Sequence, residues 1–372
     1  MQHHHQILTK PDANGALNVC ACGDINGQER SSGPNMPLSD FQITENTSIF
    51  FDLRGGPSHT FKGGVLLNGI VPHFIPLDAS AMKPAPFKYV AATSLAQALA
   101  LKAEYGDDAK FLAGGQSLMP AMNFRLAQPA ILIDINGIED LAGIHPSGAT
   151  TRVGPLTRYR ALQRDEAFAG MFPLIDEALP HIAHPQIRNR GTIGGNLSHA
   201  DPASELPAIA VALRARFRVQ TAKQERWVEA SDFFVGALTT DLKPDEMLVE
   251  IELPRVKPRT GACFMEIARR RGDFAIAGVA VMTTLGERGE CTGVRLAFCG
   301  VGETPIDASS AADALIGHQP AQTTIIDVAK AAQAMIDPGG SVHATADYQR
   351  HIAGVLTERA LRTAQRRARD GH

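Results

Sequence analysis

Regular alternation of apolar and polar positions sets in only after Met82. Over residues 94–102, Leu95, Ala98, Leu99 and Lys102 fall at i, i+3, i+4 spacing, which predicts a helix that Gly106 stops. Short apolar runs predict strands over 109–112, 131–135 and 151–153, the last followed by Gly154-Pro155. Helical runs are expected near 159–169 and 173–179. Residues 216–228 predict strand, turn, strand, and 246–253 a strand bounded by Pro244 and Pro254. The segment 254–261 is proline-rich and charged, as a linker is. Strands are expected beyond it at 263–268, 276–285 and 294–300, then helices at 323–336 and 348–367. The last helix places Ile352, Val355, Leu356 and Ala360 on one face, with arginines opposite and toward its C-terminal end. Strands grouped before helices indicate an α+β class rather than a parallel doubly wound sheet.

Residues 1–81 carry no such period. Stretches such as NGQERSSGPN and LRGGPSHTFKGG are rich in Gly, Ser, Asn and Pro, a composition that hardly offsets the entropy of ordering. They are expected to be a poorly ordered N-terminal extension, with Met82 as a candidate start of the folded protein. Cys20 and Cys22 near His3, His4 and His5 form a single CxC, whereas a structural zinc site needs paired ligands repeated at a distance.

Composition narrows the classes. With 372 residues there is enough apolar material for two or three domains. Lys plus Arg number 36 against 39 Asp plus Glu, a net charge of −3, so no bulk basic field exists for nucleic acid. No uncharged apolar run approaches the roughly 20 residues that span a bilayer. The first residues have no apolar core of a signal peptide, and the five cysteines are odd in number and scattered. These features lead to a cytoplasmic expectation.

Two glycine loops are the chemical candidates. The first, LAGGQSLMP, contains Ala113, Gly114, Gly115, Gln116 and Ser117 and follows a predicted strand; the second, RNRGTIGGNLSHADP, contains Thr192, Ile193, Gly194, Gly195 and Asn196. Paired glycines admit positive φ, expected at Gly195, and let a ligand approach the main chain. Successive exposed N–H groups then form a nest for phosphate oxygens. Each Gly-Gly taken singly is most often a tight turn. Neither loop is GxGxxG or a P-loop, but two such loops followed by polar donors suit a diphosphate, which needs donors from more than one side.

Together, LAGGQSLMPAMNFRLAQPAILIDINGI and HPQIRNRGTIGGNLSHADPASELPA resemble the FAD-binding (medium) subunit of the molybdenum hydroxylases. That group includes carbon monoxide dehydrogenase and the xanthine, quinoline and nicotine dehydrogenases. The likeness runs from Met82 to about Arg369, includes ARRRGDFAIAGVAV, and leaves residues 1–81 without a counterpart. It implies a two-part FAD-binding domain of the vanillyl-alcohol-oxidase type over 82–257 and a smaller α+β C-terminal domain over 261–369. It further implies that Ala113 to Ser117 and Thr192 to Asn196 wrap the diphosphate and ribityl chain of FAD; with no obvious His or Cys tether within the loops, the FAD is expected to be non-covalent. Glu205 falls where relatives have an Asp on the ribityl or ribose, and Leu248 where an apolar residue packs on the isoalloxazine. On pattern alone, Leu248 is an ordinary core leucine. Ile182 replaces an aromatic that some relatives place near the adenine, and Glu266 falls near a position where some carry Lys. Arg188 and Arg190 are either solvated loop charges or a cationic border for an anionic cofactor. His181, His184 and His199 receive no catalytic role.

The function implied is an electron-transfer subunit of a heterotrimeric molybdenum hydroxylase. Electrons would pass from iron–sulfur clusters of a partner to FAD and on to an external acceptor. The implied partners are a molybdenum-cofactor large subunit and a small subunit with two [2Fe–2S] clusters, assembled as a dimer of heterotrimers. From Met82 onward only Cys263, Cys291 and Cys299 are present, too few for a cluster of about four cysteines. The alternative is a self-sufficient FAD-dependent oxidase of the same broad fold, for which the C-terminal segment of roughly 110 residues is short as a substrate cap.

Overall fold

The computed structural model describes residues 83–371 and, before them, two short strands. The chain divides into two units, Met1–Leu77 and Asp78–His372. In the first, Leu8–Pro11 and Leu17–Cys20 pair antiparallel. The other expectations for residues 1–81, the CxC included, lie outside the described residues.

The second unit opens with β1 (Lys88–Ala91), α1 (Leu95–Tyr105), β2 (Ala109–Leu112), α2 (Leu118–Asn123) and β3 (Ile131–Asp134). Ser94 starts α1, its hydroxyl accepting from the Gln97 N–H, and Gly106 ends it at φ 51. The three strands form a parallel sheet in the order β1-β3-β2. Ala98 and Leu99 of α1 pack on it in one core with Ala109, Ile131 and Ile133. The sequence pattern missed β1, because three of its four residues are exposed and no alternation marks it.

An antiparallel sheet follows, built from β4 (Ile144–Ser147), β5 (Thr150–Val153), β6 (Arg216–Gln220), β7 (Glu225–Glu229) and β8 (Met247–Pro254) in the order β4-β5-β8-β6-β7. Between β5 and β6 lie α3 (Pro173–Ala178), α4 (Ile193–His199), α5 (Glu205–Leu213) and further short helices. The expected helix near 159–169 is two, Tyr159–Arg164 and Glu166–Met171. Asp165 divides them, its carboxylate accepting from the Phe168 N–H to cap the second. Every residue of α5 is buried, so it carries no amphipathic signal.

Strand β8 serves two cores. Met247 and Val249 join the core under the parallel sheet, whereas Leu248, Ile251 and Leu253 join that of α3, α5 and β6. A regular strand would put Leu248 and Ile251 on opposite faces; a bulge between Leu248 and Glu250 brings them to one side.

The C-terminal part is an antiparallel sheet of β9 (Thr260–Ala268), β10 (Ala275–Leu285), β11 (Cys291–Cys299) and β12 (Ile306–Asp307), in that order, covered by α7 (Ala346–Asp370), against which α6 (Gln322–Ala334) packs. Helix α5 packs on β10 and β11, so the core of the first half continues into this sheet. The architecture is α+β, as the element pattern indicates. No helix among the described residues is long and apolar enough to cross a membrane.

Candidate flavin site

The two glycine loops meet. A Cβ added to Gly114 would lie 2.6 Å from the Arg190 carbonyl oxygen and 2.9 Å from Gly191 Cα, so main chain touches main chain there. Ala113 approaches the second loop as well, its Cβ 3.8 Å from where a Cβ on Gly195 would stand.

The loops differ in what they leave free. Among the described residues, the N–H groups of Gly114, Gly115, Gln116 and Ser117 meet no protein acceptor. Gly115 is left-handed at φ 71, where a side chain is strained, and this residue turns the row of amides into a concave nest. Gln116 donates its amide to the Gly114 carbonyl at 3.1 Å, and the Ser117 hydroxyl is not spent on capping α2.

In the second loop the amides are consumed by the fold. Ile193 donates to the Thr157 carbonyl at 3.0 Å and Gly194 to the Pro155 carbonyl at 2.9 Å. The Gly195 N–H donates to Thr192 Oγ1 at 3.1 Å, which caps α4. A Cβ on Gly194 would lie 2.3 Å from Pro155 Cβ, so this glycine serves close packing. The expected positive φ at Gly195 is not found: the residue sits in α4, where an added Cβ would meet Thr192 Oγ1 at 2.7 Å. The second loop therefore offers a wall and side chains rather than a second nest.

Asn196 accepts at Oδ1 from the Ser204 hydroxyl at 2.9 Å, which ties α4 to the start of α5 and so to Glu205. Glu205 is only 5% exposed, and burial, with the charges of Glu266 and Asp201 behind it, pushes its carboxyl up to about 8. Glu266 on β9 holds His181 Nδ1 at 3.0 Å from Oε1, while its Oε2 is buried without a partner among the described residues. Burial also raises the hydroxyl of Tyr159, despite its hydrogen bond with Asn196. Ile193 and Ile182 are buried, and Leu248 lies in the core beside β6. Leu248 and Ile193 thus belong to one core cluster, and Leu248 lies on a strand that does not enter the meeting of the glycine loops.

Residue patterns alone did not disclose Tyr89, Asp134, Asn136 and Arg158, which form a polar chain behind both loops. The Asp-x-Asn that ends β3 is a turn signal that could have flagged Asn136; nothing periodic marks Arg158. Burial opposes charge on Asp134, yet hydrogen bonds from Tyr89 and Asn136 and the nearby Arg158 cation hold its carboxyl below the usual range. Four adjacent unpaired donors around a left-handed glycine, walled by a second loop, fit the diphosphate of an extended dinucleotide cofactor.

Residues 85–256 match the family described as "FAD binding domain in molybdopterin dehydrogenase", and 262–364 that described as "CO dehydrogenase flavoprotein C-terminal domain". The chain belongs to the FAD-binding medium subunits of the molybdenum-containing dehydrogenases, as the flavoprotein component of an oxidoreductase. It is 42% identical to the 6-hydroxypseudooxynicotine dehydrogenase complex subunit alpha of Paenarthrobacter nicotinovorans, over 77% of this chain and 97% of that protein. It is 40% identical to the caffeine dehydrogenase subunit beta of Pseudomonas sp. (strain CBB1), over 76% and 96%. Among solved structures, carbon monoxide dehydrogenase from Hydrogenophaga pseudoflava superposes with a TM-score of 0.75 at 39% identity, covering 77% of this chain and 99% of that one.

Proposed function

We propose that this chain is the electron-transfer flavoprotein of a heterotrimeric molybdenum hydroxylase, taking electrons from iron–sulfur clusters of a partner and passing them to an external acceptor. The observation that carries the reading is the row of unpaired N–H groups at Gly114–Ser117, closed off by the second glycine loop. FAD supplies the redox chemistry when bound; the chain supplies binding, orientation and electrostatics. In this reading the amides of Gly114, Gly115, Gln116 and Ser117 hold the diphosphate, and Ala113, Thr192, Ile193, Gly194, Gly195 and Asn196 form the facing wall. Glu205, its carboxyl pushed up to about 8 by burial, stands toward the sugar-alcohol chain, and Leu248 backs the ring. The flavin domain spans 82–257, the C-terminal domain 261–369, and residues 1–81 stand outside both.

The partners in this reading are a large subunit with the molybdenum cofactor and a small subunit with two [2Fe–2S] clusters, in a cytoplasmic dimer of heterotrimers. Support comes from the relatives, whose names make them subunits of larger enzymes and which this chain matches almost end to end. The chain's own thiols add to it. Cys263, Cys291 and Cys299 are buried in the C-terminal sheet, and burial pushes the Cys263 thiol up to about 11, the behaviour of packing residues rather than cluster ligands.

Acid precipitation of the purified full chain tests the reading. FAD is expected in the supernatant, and Gly115→Val is expected to lose most of it while the fold persists. A β-branched residue in the left-handed region costs about 1–3 kcal/mol, and the new Cβ would lie 3.1 Å from Leu112 Cδ1. FMN in place of FAD, or full flavin content in the variant, rejects the site.

A further inference from the structure

A chain of hydrogen bonds behind the glycine loops joins one half of the flavin domain to the other. It begins on β1, where the Tyr89 hydroxyl donates to Asp134 Oδ2 at 2.5 Å. Asp134 Oδ1 accepts from the Asn136 main-chain N–H at 2.8 Å and from Asn136 Nδ2 at 2.7 Å, which fixes the side-chain amide. The same Nδ2 donates to the carbonyls of Ala113 at 2.9 Å and Leu112 at 3.2 Å, the entry to the first loop. Asn136 Oδ1 accepts from Arg158 Nη2, and Arg158 Nη1 donates to the Arg190 carbonyl, the entry to the second. That carbonyl is the atom against which Gly114 leaves no room for a Cβ.

We propose that Arg158 is a positioning residue for the cofactor: acting through Asn136 on one loop and the Arg190 carbonyl on the other, it sets the spacing of the two glycine loops and so the width of the slot for the diphosphate. This rests on the proposed function above. A guanidinium suits the task because its planar fork presents two parallel donors in fixed geometry, which a single ammonium cannot do. The hydrogen bonds of the group go to neutral oxygens, and the Asp134 carboxylate behind Asn136 answers its charge. The main chain at this position is held separately, through the Arg158–Thr192 bridge and the Tyr159 N–H donating to the Gly191 carbonyl at 3.2 Å. Removing the side chain therefore leaves the strand contact in place and releases only the spacing.

The experiment titrates full-length apoprotein with FAD and with riboflavin, which lacks the diphosphate. Arg158→Met is expected to weaken FAD about 20-fold and riboflavin less than about 2-fold, in line with the loss of charge-assisted hydrogen bonds that act on one part of the ligand. Arg158→Lys is expected to weaken FAD about 5-fold, since a point charge reaches one acceptor at a time. Methylguanidinium added to Arg158→Ala should restore part of the FAD affinity, which a purely structural role would not allow. Unchanged FAD affinity in Arg158→Met overturns the proposal, and so do equal losses for FAD and riboflavin, the mark of general damage to the fold. Should the methionine variant not fold, Arg158→Gln carries the same comparison. A wild-type chain that binds neither flavin overturns this proposal and the proposed function together, whereas wild-type binding with an unaffected variant overturns this proposal alone.

Discussion

Glu205 combines 5% exposure with a carboxyl pushed up to about 8, from 4.5 in the unfolded chain. The folded protein therefore binds this proton more tightly than the unfolded chain does. Its contribution to stability is complete below the unfolded value and is lost as pH rises through the folded one, over the window from 4.5 to about 8. Glu205→Gln removes that dependence. The thermal midpoint of the variant minus that of the wild type, measured on apoprotein, should grow from about pH 5 to about pH 8. A flat difference would mean that Glu205 is already charged in the folded protein. At this scale the sequence told identity better than role. Gly114, Gly115, Gly194 and Gly195 were recognisable as special, but only Gly115 is left-handed, because close packing on Pro155 and helix capping by Thr192 account for the other loop. Arg158 was illegible, since its importance lies in two acceptors brought to it by distant segments.

Elements were legible where one face is buried and the other wet. Helices α1 and α7 and the first three strands of the C-terminal sheet were legible, within a few residues at their ends, whereas the two-residue β12 was not. Helix α5, buried all round, and β1, exposed nearly all round, left no pattern to find. The packing of α7 on β9 has a further requirement that periodicity does not show. Ala360, Ala364 and Ala368 are nearly inaccessible, and a Cβ on Gly261 would lie 2.0 Å from the Ala364 carbonyl oxygen. Helix and strand are therefore in main-chain contact, and Gly261→Val must push α7 outward, at a cost of about 3 kcal/mol, the upper end for overpacking. Urea unfolding should show that loss. Gly339→Ala, with nothing within 4 Å of the new methyl, should leave the midpoint within experimental error. Equal stability of Gly261→Val and wild type would mean that the helix does not press on the strand.

At the scale of the molecule, three boundaries fall close together. The second unit begins at Asp78, the family match at residue 85 and the first strand of the flavin fold at Lys88. The relatives account for about three quarters of this chain while being matched over nearly their full length, and the family matches begin at residue 85. In the proposed site, the main-chain donors and the polar backing all come from residues after Lys88: the nest at Gly114–Ser117, the wall at Thr192–Asn196, and Tyr89, Asn136 and Arg158 behind them. The first half shares its core with the C-terminal sheet, and Glu177 of α3 ties the two by accepting from the Phe264 N–H at 2.8 Å and pairing with Arg367 of α7. A chain truncated to begin at Met82 retains every one of these groups. It is expected to fold with the thermal midpoint of the second unit unchanged and to carry the same ratio of FAD to protein as the full chain. Calorimetry and the flavin absorbance of the two purified proteins check this. If the truncated chain aggregates, or loses flavin that the full chain keeps, then residues 1–81 complete the flavin fold rather than standing outside it, and the domain assignment beginning at residue 82 falls.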